Sequence, residues 1–258
     1  MRRLILEEPV SSAALWSRRL GIFGLALGGI SIGLSRLGSL DIASILAVFG
    51  AAILMSLIAL LLAGAAAVVI WKTGRRGTGA LICGAFLAFV LLAWPGYLTV
   101  QAVRLPIIND VSTDLVDPPT YFNSARADAA RKGVRHETIP AESRDAQRRA
   151  YPDVQPIVLD LDADEAWALV GKAVESRGWT IVQQQPPGGR SGLGHIDAFD
   201  KSLIMGFADD VTIRLRPLAG QTRIDVRSAS RWGRHDFGSN ARRIQRFAQE
   251  LQAQLDQR

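Results

Sequence analysis

The chain has 258 residues, 30 Lys+Arg against 24 Asp+Glu for a formal net charge of +6, and one cysteine. The positive excess lies outside the polar half: residues 1–100 hold 8 basic and 3 acidic residues, whereas residues 101–258 hold 22 and 21. A nucleic-acid binder concentrates its basic charge on the folded domain, so that class is excluded. The single Cys83 excludes an intramolecular disulfide and reads as a small apolar residue.

Three uncharged stretches occupy the first hundred residues: Leu20–Ser35, Ile42–Trp71 and Gly77–Val103. A bilayer core about 30 Å thick needs roughly 20 apolar residues in helix. The second stretch passes easily. The third passes from about Thr78 to Tyr97, with Pro95-Gly96 expected to end or kink it. The first is short, and Arg36 can snorkel to lengthen it. Arg2, Arg3, Arg18, Arg19, Lys72, Arg75 and Arg76 fall on one side, and Arg36 and Arg104 on the other. The positive-inside rule therefore places the N-terminus in the cytoplasm and the C-terminal region in the periplasm of a multi-pass inner-membrane protein. Trp16 and Trp71 fall at the inner boundary, Trp94 and Tyr97 at the outer. The alternative is a cleaved signal peptide over roughly the first 35 residues, against which stand a long basic leader and no clear Ala-x-Ala site. Gly24-x-x-x-Gly28 and Gly29-x-x-x-Gly33 suit close helix packing, within the bundle or in a homodimer through Gly24–Gly33.

The expected organisation is thus a membrane anchor over 1–103, a connector and polar arm over 104–150, and an extracytoplasmic α+β domain over 151–258. The connector is bracketed by Leu105-Pro106 and Asp117-Pro118-Pro119. Residues 121–150 read as one or two short surface helices or an arm lying on the domain. "PIVLDLD" alternates Ile157, Leu159 and Leu161 as a strand. Asp162 with Glu165 then makes a capping box, opening a helix that turns Ala166, Leu169, Val170, Ala173 and Val174 to one side and ends at Gly178. "WTIVQQQ", with Trp179 and Ile181 inward, "HIDAF", "LIMGF", "DVTIRLRPL" and "TRIDVRSAS" supply strand material. The last helix repeats Phe237, Ala241, Ile244, Ala248, Leu251 and Leu255, with Phe247 beside them. The order β-α-β-β-β-β-α describes a two-layer antiparallel sheet with helices on one face, helix-grip-like in element order.

The bend "RSASRWGRHDFGSNARR" (227–243) collects residue types that suggest chemistry. Asp236 is expected to be the N-cap of the last helix, with Phe237 as its first core residue and Asn240 and Arg243 on its first turns. Ser228 or Ser230 with His235 and Asp236 has the residue types of a hydrolase triad but neither its spacing nor a nucleophile elbow. His136, His195 and His235 lack metal-ligand spacing, and "GGRSGLG" lacks the Lys-Ser/Thr ending of a phosphate loop. No residue pattern calls for a metal or a cofactor. Asp209-Asp210 reads either as a carboxylate pair or as partners for Arg214, Arg216, Arg223 and Arg227 across a polar sheet face. Clustered, Arg214, Arg223, Arg227 and Arg231 would suit an anionic head group or carboxylate.

"LPIINDVSTD" (105–114), "PPTYF", "YPDVQPI", "ADDVTIRLRP" and "RIDVRSASRWGRHDFGSNARRI" (223–244) resemble the bacterial family called domain of unknown function 1499. The resemblance implies a membrane-tethered envelope domain and supplies no catalytic residues. It adds Asn109, Asp110, Thr113 and Asp114 to the candidate positions, on a connector expected to dock on the sheet. Three functions compete: an envelope module binding a protein or lipid partner through Asp209, Asp210, Arg214, Arg227, Ser228, Ser230, Arg231, His235, Asp236, Asn240 and Arg243; a small-ligand or lipid carrier with a cavity under the last helix; and an enzyme using Asp209, Asp210 and His235.

Overall fold

The computed structural model describes residues 9–188 and 191–257, so Arg2 and Arg3 and the Gly189-Arg190 part of the glycine-rich loop lie outside it. The chain divides into two compact units, one running to Val100 and including Ile204–Gly206, the other comprising Gln101–Leu203 and Phe207–Arg258.

The first unit is built from α1 (Ser12–Leu37), α2 (Ile42–Thr73) and α3 (Thr78–Arg104). All three are long and apolar enough to cross a membrane, and the chain is read as a membrane protein. The first helix is longer than its uncharged stretch. It starts where the Ser11 side chain accepts the Ala14 N–H and so takes in Arg18 and Arg19. Asp41 caps α2 by accepting the Ser44 N–H at 2.9 Å. Pro95 does not end α3, which runs on to Arg104. In an apolar medium the residues beyond a proline find backbone partners only by staying helical.

Small residues set the packing. Ser17 donates to the Ala59 carbonyl at 2.9 Å and Ser31 to the Ile45 carbonyl at 3.0 Å, tying α1 to α2. Gly24 and Gly28 lie against α2 and Leu91, whereas Gly29 and Gly33 face open space. The closest approach is one the sequence pattern did not single out. A Cβ on Gly84 of α3 would stand 2.6 Å from the backbone of Arg18 and Ser17, and one on Gly21 would stand 2.8 Å from the Gly84 carbonyl. A Gly84→Val substitution is therefore expected to pry α1 from α3 and cost about 1–3 kcal/mol. A lowered thermal midpoint of the detergent-solubilised chain, with Gly29→Val nearly silent, is the result to look for.

The second unit is an α+β head. Its antiparallel sheet runs β1 (Asp110–Ser112), β6 (Thr222–Ser230), β5 (Ala208–Pro217), β4 (Gly194–Lys201), β3 (Thr180–Gln185), with β2 (Ile157–Leu159) also pairing β6. The helices α6 (Ala163–Ser176) and α7 (Ser239–Leu255) contribute to one core with the inward residues of the strands. Val211, Ile213 and Leu215 of β5 and Ile224 and Val226 of β6 are fully buried against Leu169, Val170, Ile244, Phe247 and Leu251. Each such side chain contributes about 1.5–3 kcal/mol by burial. Trp179 stacks on Phe247 at 5.3 Å. Among the described residues the space beneath α7 is filled by these side chains.

Local signals explain most boundaries. Asp162 accepts the Glu165 N–H at 2.8 Å to start α6, and the Trp179 N–H reaches the Val174 carbonyl at its end. In β3 the register shifts between Ile181 and Gln183; Ile181 packs half-buried against the core, and Val182 is buried outside that cluster. "LIMGF" is a turn and not a strand: the Ser202 N–H bonds the Phe207 carbonyl and closes it. The polar arm forms α4 (Ala125–Ala130) and α5 (Ala141–Ala150). The connector docks on the sheet, since β1 pairs with the end of β6, Asp110 opposite Ala229 and Ser112 opposite Arg227.

Candidate functional site

Successive residues of a strand point to opposite faces, and this divides the candidate residues into two groups. Asp209, Ser228 and Ser230 point toward α7. Asp210, Arg214, Arg223, Arg227 and Arg231 point the other way, toward the arm. Asp209 and Asp210 therefore cannot act together as a carboxylate pair.

Beneath α7, Arg243 is the hub. Its guanidinium donates to Asp209 at 2.6 Å, Asp200 at 2.8 Å, Ser228 Oγ at 3.0 Å and Asn240 Oδ1 at 2.7 Å. The Asn240 amide donates to the Asn109 carbonyl at 3.0 Å and to Ser230 Oγ at 3.1 Å. One arginine on the first turn of α7 thus joins the helix to β4, β5 and β6, and Asn240 adds the connector.

The bend between β6 and α7 departs from its predicted form. The helix begins at Ser239 with Gly238, at φ 75°, in the cap position. Asp236 still does the capping: its carboxylate accepts the Gly238 and Asn240 N–H groups, both at 2.9 Å. Phe237 precedes the helix and is held at a left-handed φ of 52°, stacked on His235 at 4.6 Å. Gly238 itself fits tightly, since a Cβ there would meet Leu105 at 2.7 Å and Arg242 at 2.9 Å. Burial raises the Asp236 carboxyl above its usual range, partly offset by those two N–H donors. His235 accepts the Phe237 N–H through Nδ1 at 2.9 Å. It is therefore not oriented by Asp236, and Ser228 and Ser230 are bound by Asn240. The triad is not assembled.

On the arm side each candidate arginine has a carboxylate. Arg227 grips Asp110 with bonds of 3.0 and 2.6 Å and also donates to the Glu137 and Pro119 carbonyls. Arg231 pairs with Asp210 at 3.0 and 2.7 Å. Arg214 bonds Asp225 and Asp117, both at 2.9 Å, and Arg223 bonds Asp225 at 2.8 Å and Asp114 at 2.6 Å. Asp114 also accepts the Val116 and Asp117 N–H groups, and Thr113 Oγ1 accepts the Val226 N–H. The arginine cluster exists, but its charge is matched from within.

Several residues outside the sequence-based binding candidates complete this face. His136 Nε2 lies 2.8 Å from Asp210. Asp197 accepts Arg131 at 3.1 Å and the Phe122 N–H at 2.7 Å, and Phe122 stacks on His195 at 3.8 Å. Tyr121 is sandwiched by Arg131 and Arg227, with burial driving its hydroxyl well above the usual range. Asp197 and Asp225 sit at outward positions of alternating strands, a signal that was available. Two clefts flank the arm. One of about 410 Å³ is lined by Tyr121, Phe122, Arg131, His136 and Arg227, the other of about 550 Å³ by Asp114, Asp117, Arg216 and Arg223.

No curated protein matches the chain. A family model described as a protein of unknown function (DUF1499) matches residues 110–251, from the first residue of β1 into α7, and so covers the sheet, the arm and both core helices. The docked strand β1 and the ion-paired face described above lie in that matched span, and the chain belongs to this family of proteins of unknown function, DUF1499.

Proposed function

We propose that this is an envelope protein of the inner membrane whose head lies in the periplasm and binds a protein or lipid partner beside the membrane. The excess of Arg18, Arg19, Lys72, Arg75 and Arg76 over Arg36 and Arg104 supports that orientation. The observation that carries the binding reading is how the bend divides. Its carboxylate Asp236, with Ser228, Ser230, Asn240 and Arg243, is taken up by internal bonds, while Trp232, Gly233 and Arg234 stand exposed. A catalytic centre needs a nucleophile or base within reach of substrate, whereas an exposed tryptophan beside an arginine is the composition of a binding surface. Any homodimer through α1 would use Gly29 and Gly33, because Gly24 and Gly28 are occupied within the bundle.

A photo-cross-linking residue at position 232 or 234 in living cells tests this. A reproducible protein or lipid adduct is expected there and not at Leu218, an exposed residue of the β5–β6 turn. Adducts no stronger at 232 and 234 than at 218 would remove the bend as the binding surface.

A further inference from the structure

We infer that the end of the head carrying the bend is seated in the headgroup zone of the bilayer, with Trp232 as its principal anchor. This rests on the binding reading above and names the partner as an anionic lipid surface.

The strand register assembles this end. β6 leaves the sheet at Ser230, opposite Asp209, and β4 leaves it at Lys201, opposite Ala208. β1 enters at Asp110, opposite Ala229. Three segments therefore emerge side by side: the bend, the β4–β5 turn and the connector. The connector is bonded to the bend directly, since the Asp236 N–H reaches the Ile108 carbonyl and the Ser230 N–H reaches the Asn109 carbonyl.

Asn109 follows the last residue of α3, Arg104, by five residues, which at full extension span at most about 18 Å. Leu218, at the other end of β5, lies nine residues from Asp209, or about 30 Å along the strand.

Composition suits a membrane surface. Trp232, Leu203 and Ile107, one from each segment, are 56 %, 86 % and 68 % exposed. A soluble surface has no use for three large apolar side chains on adjoining loops, whereas tryptophan is favoured at the membrane–water interface. Charge agrees. Arg104, Lys201 and Arg234 are exposed here. The carboxylates of the same end are neutralised inside, Asp200 and Asp209 on Arg243 and Asp210 on Arg231, while Asp236 is buried on backbone N–H groups. The outward charge is therefore basic, which suits anionic headgroups.

The test uses the full chain carrying Cys83→Ala and one introduced cysteine at 232, 234, 203 or 218, each bearing an environment-sensitive fluorophore. The protein is reconstituted in phosphatidylcholine–phosphatidylglycerol vesicles with a quencher near the headgroups. Quenching at 232, 234 and 203 is expected to exceed that at 218 several-fold. Equal quenching at all four positions would overturn the inference. If position 232 then still cross-links one protein in cells, the bend binds that protein and only the lipid assignment falls. With neither quenching nor a cross-link, the binding reading falls as well.

Discussion

Replacing Arg243 by methionine is expected to destabilise the head by about 3–5 kcal/mol, the range for removing one member of a buried ion pair. The guanidinium is 6 % exposed and the Asp209 carboxylate 9 %, so the substitution leaves a charge with neither a partner nor water. Asp200, at 29 %, can rehydrate and loses less. Ser228 and Asn240 each lose a donor in the same step. Lysine should recover little, because one ammonium cannot span acceptors on β4, β5, β6 and α7 as a planar fork does. Arg243→Met combined with Asp209→Asn should recover part of the loss, since the stranded charge is gone, and the double-mutant cycle would measure the coupling. Hydrogen exchange of the detergent-solubilised chain is the measurement. Protection should fall together across α7 and β4–β6, because one side chain clamps the helix to three strands. A loss confined to the first turn of α7 would reduce Arg243 to a local contact.

That clamp shows where sequence reasoning reached and where it stopped. Arg243 was legible as a residue on the first turns of the last helix, because amphipathic periodicity is local. Its partners lie 34 and 43 residues away, and no periodicity carries that information. The capping residue Asp162 was readable for the same local reason. Asp236 is legible as a cap, yet the helix starts at Ser239, after Phe237 and Gly238 at positive φ. "LIMGF" reads as a strand by its apolar content, but its length suits only a tight turn between β4 and β5. β1 is three residues long, too short to alternate, and owes its existence to pairing with β6 more than a hundred residues later. Alternating charges along β5 and β6 look like a solvated face. In the folded chain Asp225 is fully buried, because the arm from Asp114 to Ile139 covers them. A second cover over a polar face leaves no hydrophobic stripe to announce it.

The same cover makes Asp210→Asn the second large expectation. Asp210 joins the bend to the arm: it accepts Arg231 from one and His136 from the other, and its carbonyl accepts the Tyr121 hydroxyl at 3.3 Å. Asparagine keeps the shape but strands the Arg231 guanidinium, 6 % exposed, so a loss of about 3 kcal/mol is expected at neutral pH. The loss should appear as faster exchange across residues 120–139 while α7 stays protected, the reverse of the Arg243 pattern. The pH dependence follows from the carboxyl's own titration. Burial pushes its pKa up, but the bonds from His136 and Arg231 outweigh burial and hold it below the ordinary 3.8. A carboxyl whose folded pKa is depressed adds stability that is full above its unfolded value and is lost as pH falls through the folded one. The native head should therefore weaken progressively as pH drops below about 4, and the asparagine variant should lack that part of the slope. Asp236 acts in the opposite sense. Its raised pKa means that burial opposes the charged form, and this penalty fades as pH falls from the raised value toward 3.8. Asp236 is common to both chains and cancels in their difference, so the variant's stability gap from the native chain should narrow between pH 7 and pH 3 through Asp210 alone. A gap that stays constant over that range would mean that Asp210 titrates in the folded head as it does in the unfolded chain, and that the bend and the arm are held together by something other than its charge.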